Sequence, residues 1–373
     1  MLTDKKITNL ILLASSLQVL ESYFPHPIPG VRLGLANFVS LITIIKFGIV
    51  DAVKVTIFRT ICSSVFLGSF LSVSFILSFV SGLTSTVVMW IVYSTFNKIL
   101  KFSTLGISVT GAVVHNLTQL VVIYLLFIRQ QEIFYLTPIL LLSAIIAGII
   151  TGSISLSVLK EFSDKLSCKP NYCVEEINVL IHNEPKMKRF KILILSIMLL
   201  LCIPIYVFHN LNIQVFSTIF LLLIYFLTSG SIMNLYNNLL RVKWLIFSSI
   251  FIPLIFSRSG EIIFTFNRIP LLTKNSINIA INYSLRILAI TIISSYFTQK
   301  FKKEEVIYVF NRLLFFHRDA GNIIAEILLK FPNFMERLKT ELSMIKCKSA
   351  KDLYNSIGTY IVKLINESDI VCL

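Results

Sequence analysis

The sequence predicts an all-α polytopic membrane protein, and three observations carry that prediction. Hydrophobic residues make up 55% of the 373-residue chain against 14% charged, with a mean hydropathy of +0.82. Apolar runs recur, each close to the ~20 residues a helix needs to cross a hydrocarbon core. Segments of strictly alternating polarity, the mark of a membrane β-barrel, do not recur.

The first apolar run follows Met1–Lys6 without a small-residue cleavage site, so it reads as an uncleaved span rather than a signal peptide. Further spans are expected at 31–50, 53–73, 75–95, 105–128 and 134–159, after a first at 7–24. With the N-terminus inside, Lys5, Lys6, Lys46, Lys54, Lys98, Lys101, Lys160 and Lys165 fall on the cytoplasmic side and only Arg32 and Arg129 outside. That asymmetry follows the positive-inside rule. The net charge of +15 therefore marks cytoplasmic loops, with no nucleic-acid partner implied. The six cysteines show no metal spacing; Cys168 and Cys173 have no second pair.

Residues 1–160 thus form a six-span membrane domain. Residues 161–191 are polar and read as a cytoplasmic linker. Apolar segments at about 192–208, 213–230, 243–257 and 277–298 place a smaller membrane domain of about four spans at 192–300. The tail, 301–373, is too charged to span, and its apolar residues recur at helical spacing. Such helices lie on a membrane face or dock on a soluble partner. About ten spans result, with both termini cytoplasmic.

Ionisable and amide side chains within spans are costly to bury and are functional candidates for that reason. Glu21 and Arg32 flank the Pro25–Gly30 turn at the outer mouth, where they can pair across it. Asn37 lies just inside the next span. His115 and Gln119, four residues apart, share a helix face in the fifth, with Asn116 beside them. These six are the candidate substrate-binding residues. Arg59 is placed near the cytoplasmic end of the third span and reads as structural. Gly148 and Gly152 form a small-xxx-small pair that permits close helix approach.

No Gly-rich phosphate loop with Lys-Ser/Thr occurs, so no P-loop ATPase is expected. The aspartates stand at 4, 51, 164, 319, 352 and 369, too scattered for an Asp-rich magnesium clamp. No catalytic residue, metal site or cofactor is expected.

"ESYFPHPIPGVRLGLANFVSLI", "FRTICSSVFLGSF", "SGLTSTVVMW" and "GISVTGAVVHNLTQL" resemble the Gx transporter family, also labelled heptaprenyl diphosphate synthase component I, over about residues 7–160. That family is similar to the substrate-binding (S) components of energy-coupling-factor transporters, which implies a six-helix bundle capturing a small vitamin-like solute. Residues 190–341 resemble, more loosely, the transmembrane (T) component of the same transporters, which implies separate ATPase subunits as partners. The Ala-Arg-Gly-type docking motifs of T components are missing after Leu342, as is the Ala-xxx-Ala pattern of S components in the first span. The leading expectation is a bacterial inner-membrane transport protein in which Arg32 and Asn37 point into a solute pocket. The alternative is a non-catalytic membrane subunit of isoprenoid or quinone biosynthesis.

Overall fold

The computed structural model describes residues 2–23, 34, 36–96, 103–164, 189–208, 210–228, 231–257, 260–266, 269–302, 305–306, 320–344, 356 and 358–363. The first bundle contains α1 (Leu2–Tyr23), α2 (Asn37–Phe47), α3 (Ile49–Leu67), α4 (Val73–Phe96), α5 (Thr104–Leu126) and α6 (Thr137–Asp164), with a 3-10 turn at Gln131–Leu136 before α6. The second contains α7 (Arg189–Val207), α8 (Leu211–Thr228), α9 (Ile232–Arg241), α10 (Lys243–Phe256) and α11 (Lys274–Lys300). A short antiparallel hairpin, β1 (Ile262–Phe266) with β2 (Ile269–Thr273), precedes α11 and is the one departure from all-helical structure among the described residues. Beyond these lie α12 (Ala320–Met344) and a helical piece at 358–363.

Among the described residues six helices are long and apolar enough to cross a membrane: α4, α5, α6, α7, α8 and α11. The pair α9–α10, bent by 63°, brings the number to seven if it is one span. That is fewer than the ten expected, and the difference lies in α1 to α3. Only 11 residues long, α2 reaches about 16 Å. Three ionisable residues, Asp51, Lys54 and Arg59, interrupt α3. Ser15, Ser16, Gln18 and Glu21 do the same in the second half of α1. These three helices are nonetheless the inside of the bundle. Leu10, Ile11, Leu12, Leu13 and Ala14 are fully or almost fully buried, as are Val39, Leu41, Ile42 and Val55. By contrast α6, α7 and α8 expose rows of large apolar residues, including Leu142, Ile146, Leu200, Phe216 and Leu227. The polar helices are packed in protein and the apolar ones face outward, the order a bilayer imposes.

Two glycines set the limits of α3. Gly48 at φ 91° joins it to α2 with no intervening residue, and Gly68 at φ 61° ends it; both conformations are costly for a residue with a Cβ. The helix therefore starts four residues earlier than the predicted span and stops six earlier. Between α5 and α6 the backbones come close: a Cβ on Gly148 would sit 2.6 Å from the Val109 Cα, and one on Gly152 3.1 Å from the Leu105 Cα. Hydroxyl pairs tie the other helices. Thr56 bonds both Ser40 (3.1 Å) and Thr86 (2.9 Å), and Ser108 bonds Thr151 (2.9 Å).

The first bundle meets the second by one end. Ser294 Oγ donates to Phe70 O (2.9 Å), Thr298 Oγ1 to Gly68 O (3.0 Å) and Arg241 Nη1 to Leu67 O (2.6 Å). Val73, Leu77, Phe127, Ile128 and Ile133 pack with Leu245, Tyr283 and Ile287 beside them. The lysine distribution assigned the α3–α4 turn to the outside and the end of α11 to the inside. Their contact brings the two together, so both bundles cannot stand upright with those assignments in one membrane.

The tail also differs from expectation. The apolar face of α12 is covered by the first bundle rather than left for a partner. Ile324, Ile327, Leu328, Phe331, Phe334 and Leu338 are buried in one cluster with residues of α1 and α3, and the rings of Phe331 and Phe66 stack at 3.7 Å. Residues 165–188, most of the expected linker, lie outside the described residues.

Candidate functional site

The polar residues of the first bundle concentrate where α1, α2, α3, α4 and α5 come together. A cavity of about 20 Å³ there is lined by Gln18, Glu21, Gly34, Ala36, Asn37, Arg59, Ser78 and His115. Arg59 lines it from α3. It is 3% exposed, and its Nη2 donates to Asn37 Oδ1 at 3.0 Å. The Glu21 charge acts on it, and Glu21 in turn accepts the Gly34 backbone N–H at 2.7 Å. Arg59 Nε has no hydrogen-bond partner among the described residues.

Local sequence explains this placement. With α3 bounded by Gly48 and Gly68, Arg59 falls at mid-helix, deeper than the snorkelling position first assigned to it. Opposite it α4 carries Gly82, whose missing side chain leaves room: a Cβ there would lie 3.3 Å from Arg59 Nη2. The sequence reading passed over Arg59 because it took α3 to run from 53 to 73. The two glycines were the signal that could have located it.

His115 and Gln119 form the second part of the site. Gln119 Nε2 and His115 Nε2 are 3.1 Å apart, and Ser81 Oγ is 3.3 Å from the same ring nitrogen. Ser81 gives its own proton to Leu77 O at 2.5 Å. Both contacts to the ring are then satisfied by a neutral imidazole protonated on Nε2, with the Gln119 amide turned to present its oxygen.

The six candidate residues therefore divide. Asn37, Glu21 and His115 line the cavity, and Gln119 stands one hydrogen bond behind His115. Asn116 points elsewhere, donating to Leu140 O (3.1 Å) and Ser143 Oγ (3.4 Å) of α6. Adjacent positions on a helix are about 100° apart, so Asn116 cannot follow His115 into the same space. Arg32 lies outside the described residues; among those described, Arg59 is a cation on which the Glu21 charge acts.

A cavity of this size holds about one water molecule. A larger one, about 320 Å³, lies between the bundles, lined by Val65, Gly68, Phe70, Phe297, Thr298, Phe301, Lys302 and Val306. Its walls are mostly apolar and gather no converging polar set. Among the described residues no three His, Cys, Asp or Glu side chains come together as a metal site.

Long apolar helices around a buried polar cluster define a multi-pass α-helical membrane protein. Residues 10–158, nearly all of the first bundle, match the model of the family described as Heptaprenyl diphosphate synthase component I. The cluster of Glu21, Asn37, Arg59, His115 and Gln119 lies wholly within the matched segment. No curated protein and no solved structure matches the chain.

Proposed function

We propose that this is a membrane transport protein whose first bundle captures a small polar solute and whose second bundle and tail form the coupling scaffold. The division follows residues 1–160, 161–191, 192–300 and 301–373, in a bacterial inner membrane. The observation that carries the reading is the buried group of Arg59, Glu21, Asn37 and His115 around one cavity. Charges at the centre of a membrane bundle mark solute pathways by default. A guanidinium, an amide and an imidazole suit a solute bearing carboxylate, phosphate or carbonyl oxygens. At about 20 Å³ the cavity holds no more than a water molecule, so capture of a solute would require the elements around it to move.

Separate ATPase subunits would supply the energy. Because the apolar face of α12 is covered, such subunits would meet its exposed charged side, where Glu336 and Lys339 lie. The test is mass spectrometry of small molecules that co-purify with the detergent-extracted protein. A bound solute that disappears in Arg59→Lys and Asn37→Ala but persists in Asn116→Ala supports the reading; retention in all three variants overturns it.

The family description favours one other reading, a non-catalytic membrane subunit assisting a separate prenyl diphosphate synthase. Stimulation of such a synthase by the purified protein, with no solute bound, would select it.

A further inference from the structure

The second bundle contains a charge that nothing in the proposed transport site uses. Arg286, in the middle of α11, is 2% exposed, and its Nε and Nη1 have no hydrogen-bond partner among the described residues. Its Cζ lies 5.8 Å from the ring centre of Tyr206 and 5.7 Å from that of Tyr283. The Tyr206 hydroxyl does not serve the guanidinium, since it donates to the Arg286 carbonyl at 3.4 Å. Among the described residues the charged and titratable groups acting on Arg286 are Arg129, Tyr283 and Tyr206, with no carboxylate. Glu132 acts on Tyr283 instead, whose hydroxyl is within hydrogen-bonding reach of the Arg129 backbone.

A buried guanidinium is strongly disfavoured unless an anion or a full set of acceptors meets it. Two aromatic faces offset only part of that cost. Arginine pairs best with the oxygens of phosphate or carboxylate, and two orphaned N–H groups of one planar guanidinium suit the several oxygens of a phosphate.

We propose that Arg286, flanked by Tyr206 and Tyr283, is a binding site for a phosphate group where the first bundle meets α11. The phosphate belongs to a phospholipid headgroup or to a free phosphate compound, and the test separates the two.

The full-length protein is stripped of lipid in a maltoside detergent, which carries no phosphate, and titrated with phosphatidylglycerol and, separately, with inorganic phosphate. Thermal stability and native mass spectrometry are read in each case. The wild type is expected to gain a phosphate-bearing adduct and to melt higher with one of the two probes. Stabilisation by phosphatidylglycerol alone assigns the headgroup, and stabilisation by inorganic phosphate alone assigns the free anion. Arg286→Met should abolish adduct and shift together, while Lys274→Met, at an exposed ion pair, should keep both. Should Arg286→Met fail to fold, Arg286→Lys decides: it keeps the charge, loses the planar fork, and should weaken the response about tenfold. A wild type that neither probe stabilises, as for a site filled by water alone, overturns the proposal. So does an unchanged response in Arg286→Lys. The proposed solute site shares no residue with this one, so either can fail alone.

Discussion

The two bundles handle buried charge in opposite ways. In the first, Arg59 is met by Asn37 and by the charge of Glu21, and Glu21 by the Gly34 backbone, so each costly group lies near another that offsets it. In the second, Arg286 has tyrosine faces and a like charge for company. The first arrangement holds together with nothing bound, whereas the second calls for a counter-charge from outside the described chain. A polar residue in an apolar helix is therefore not one kind of signal; its meaning depends on what faces it.

The largest expected effect tests that contrast directly. Arg59→Met should destabilise the protein by about 3–5 kcal/mol, because it removes one charge of a buried, oppositely charged set and leaves Asn37 without its donor. The pair Arg59→Met with Glu21→Gln should recover most of the loss, as read from thermal unfolding in detergent. If the double variant is no better than the single, the two charges do not form a pair. Arg286→Met, by comparison, should leave unfolding in the absence of any anion unchanged or shifted upward.

Phe331→Ala comes next. The ring is buried in α12 and stacked on Phe66, and removing it should cost about 3–5 kcal/mol. Limited proteolysis should then release residues after 320 faster than in the wild type; equal rates would mean that α12 does not rest on the first bundle in solution. Smaller again is Gly148→Ala, whose Cβ meets backbone rather than a movable side chain. A loss of about 1–3 kcal/mol is expected, and an unchanged melting temperature would mean that α5 and α6 part easily.

The smallest effect is at the ion pair beside the end of α11. Lys191 Nζ reaches both oxygens of Glu305, at 2.7 and 3.0 Å. Burial pushes the Glu305 carboxyl up, but the bonds from Lys191 and the Lys302 N–H, with the charges of both lysines, outweigh it and hold the pKa below the ordinary 4.5. A carboxyl depressed by folding contributes stability above its unfolded pKa and loses it as pH falls from 4.5 through the folded value. Glu305→Gln should flatten that acid limb, by about 1 kcal/mol or less. Melting curves for the two proteins that stay parallel through the acid range would show that the pair contributes nothing.

Much of the fold was legible in the residues because a bilayer selects strongly on composition. The long apolar runs of α4 to α8 and α11, the charged tail and the close approach at Gly148 and Gly152 all follow from hydropathy, helical period and side-chain size. Part of the site was legible for the same reason: Glu21, Asn37, His115 and Gln119 stand out as polar residues in oily surroundings. Partnership was not. Whether Asn116 faces α6 or the cavity depends on a rotation of about 100° per residue that only packing against Leu140 and Ser143 settles. Arg59 meets Asn37 across 22 positions of chain, a pairing set by where two glycines end a helix. The end-on meeting of the bundles, and the sealing of α12 on α1, join segments hundreds of residues apart. One-dimensional periodicity fixes which face of a helix is apolar, but the surface that covers it belongs to another part of the chain and is chosen only when the whole packs.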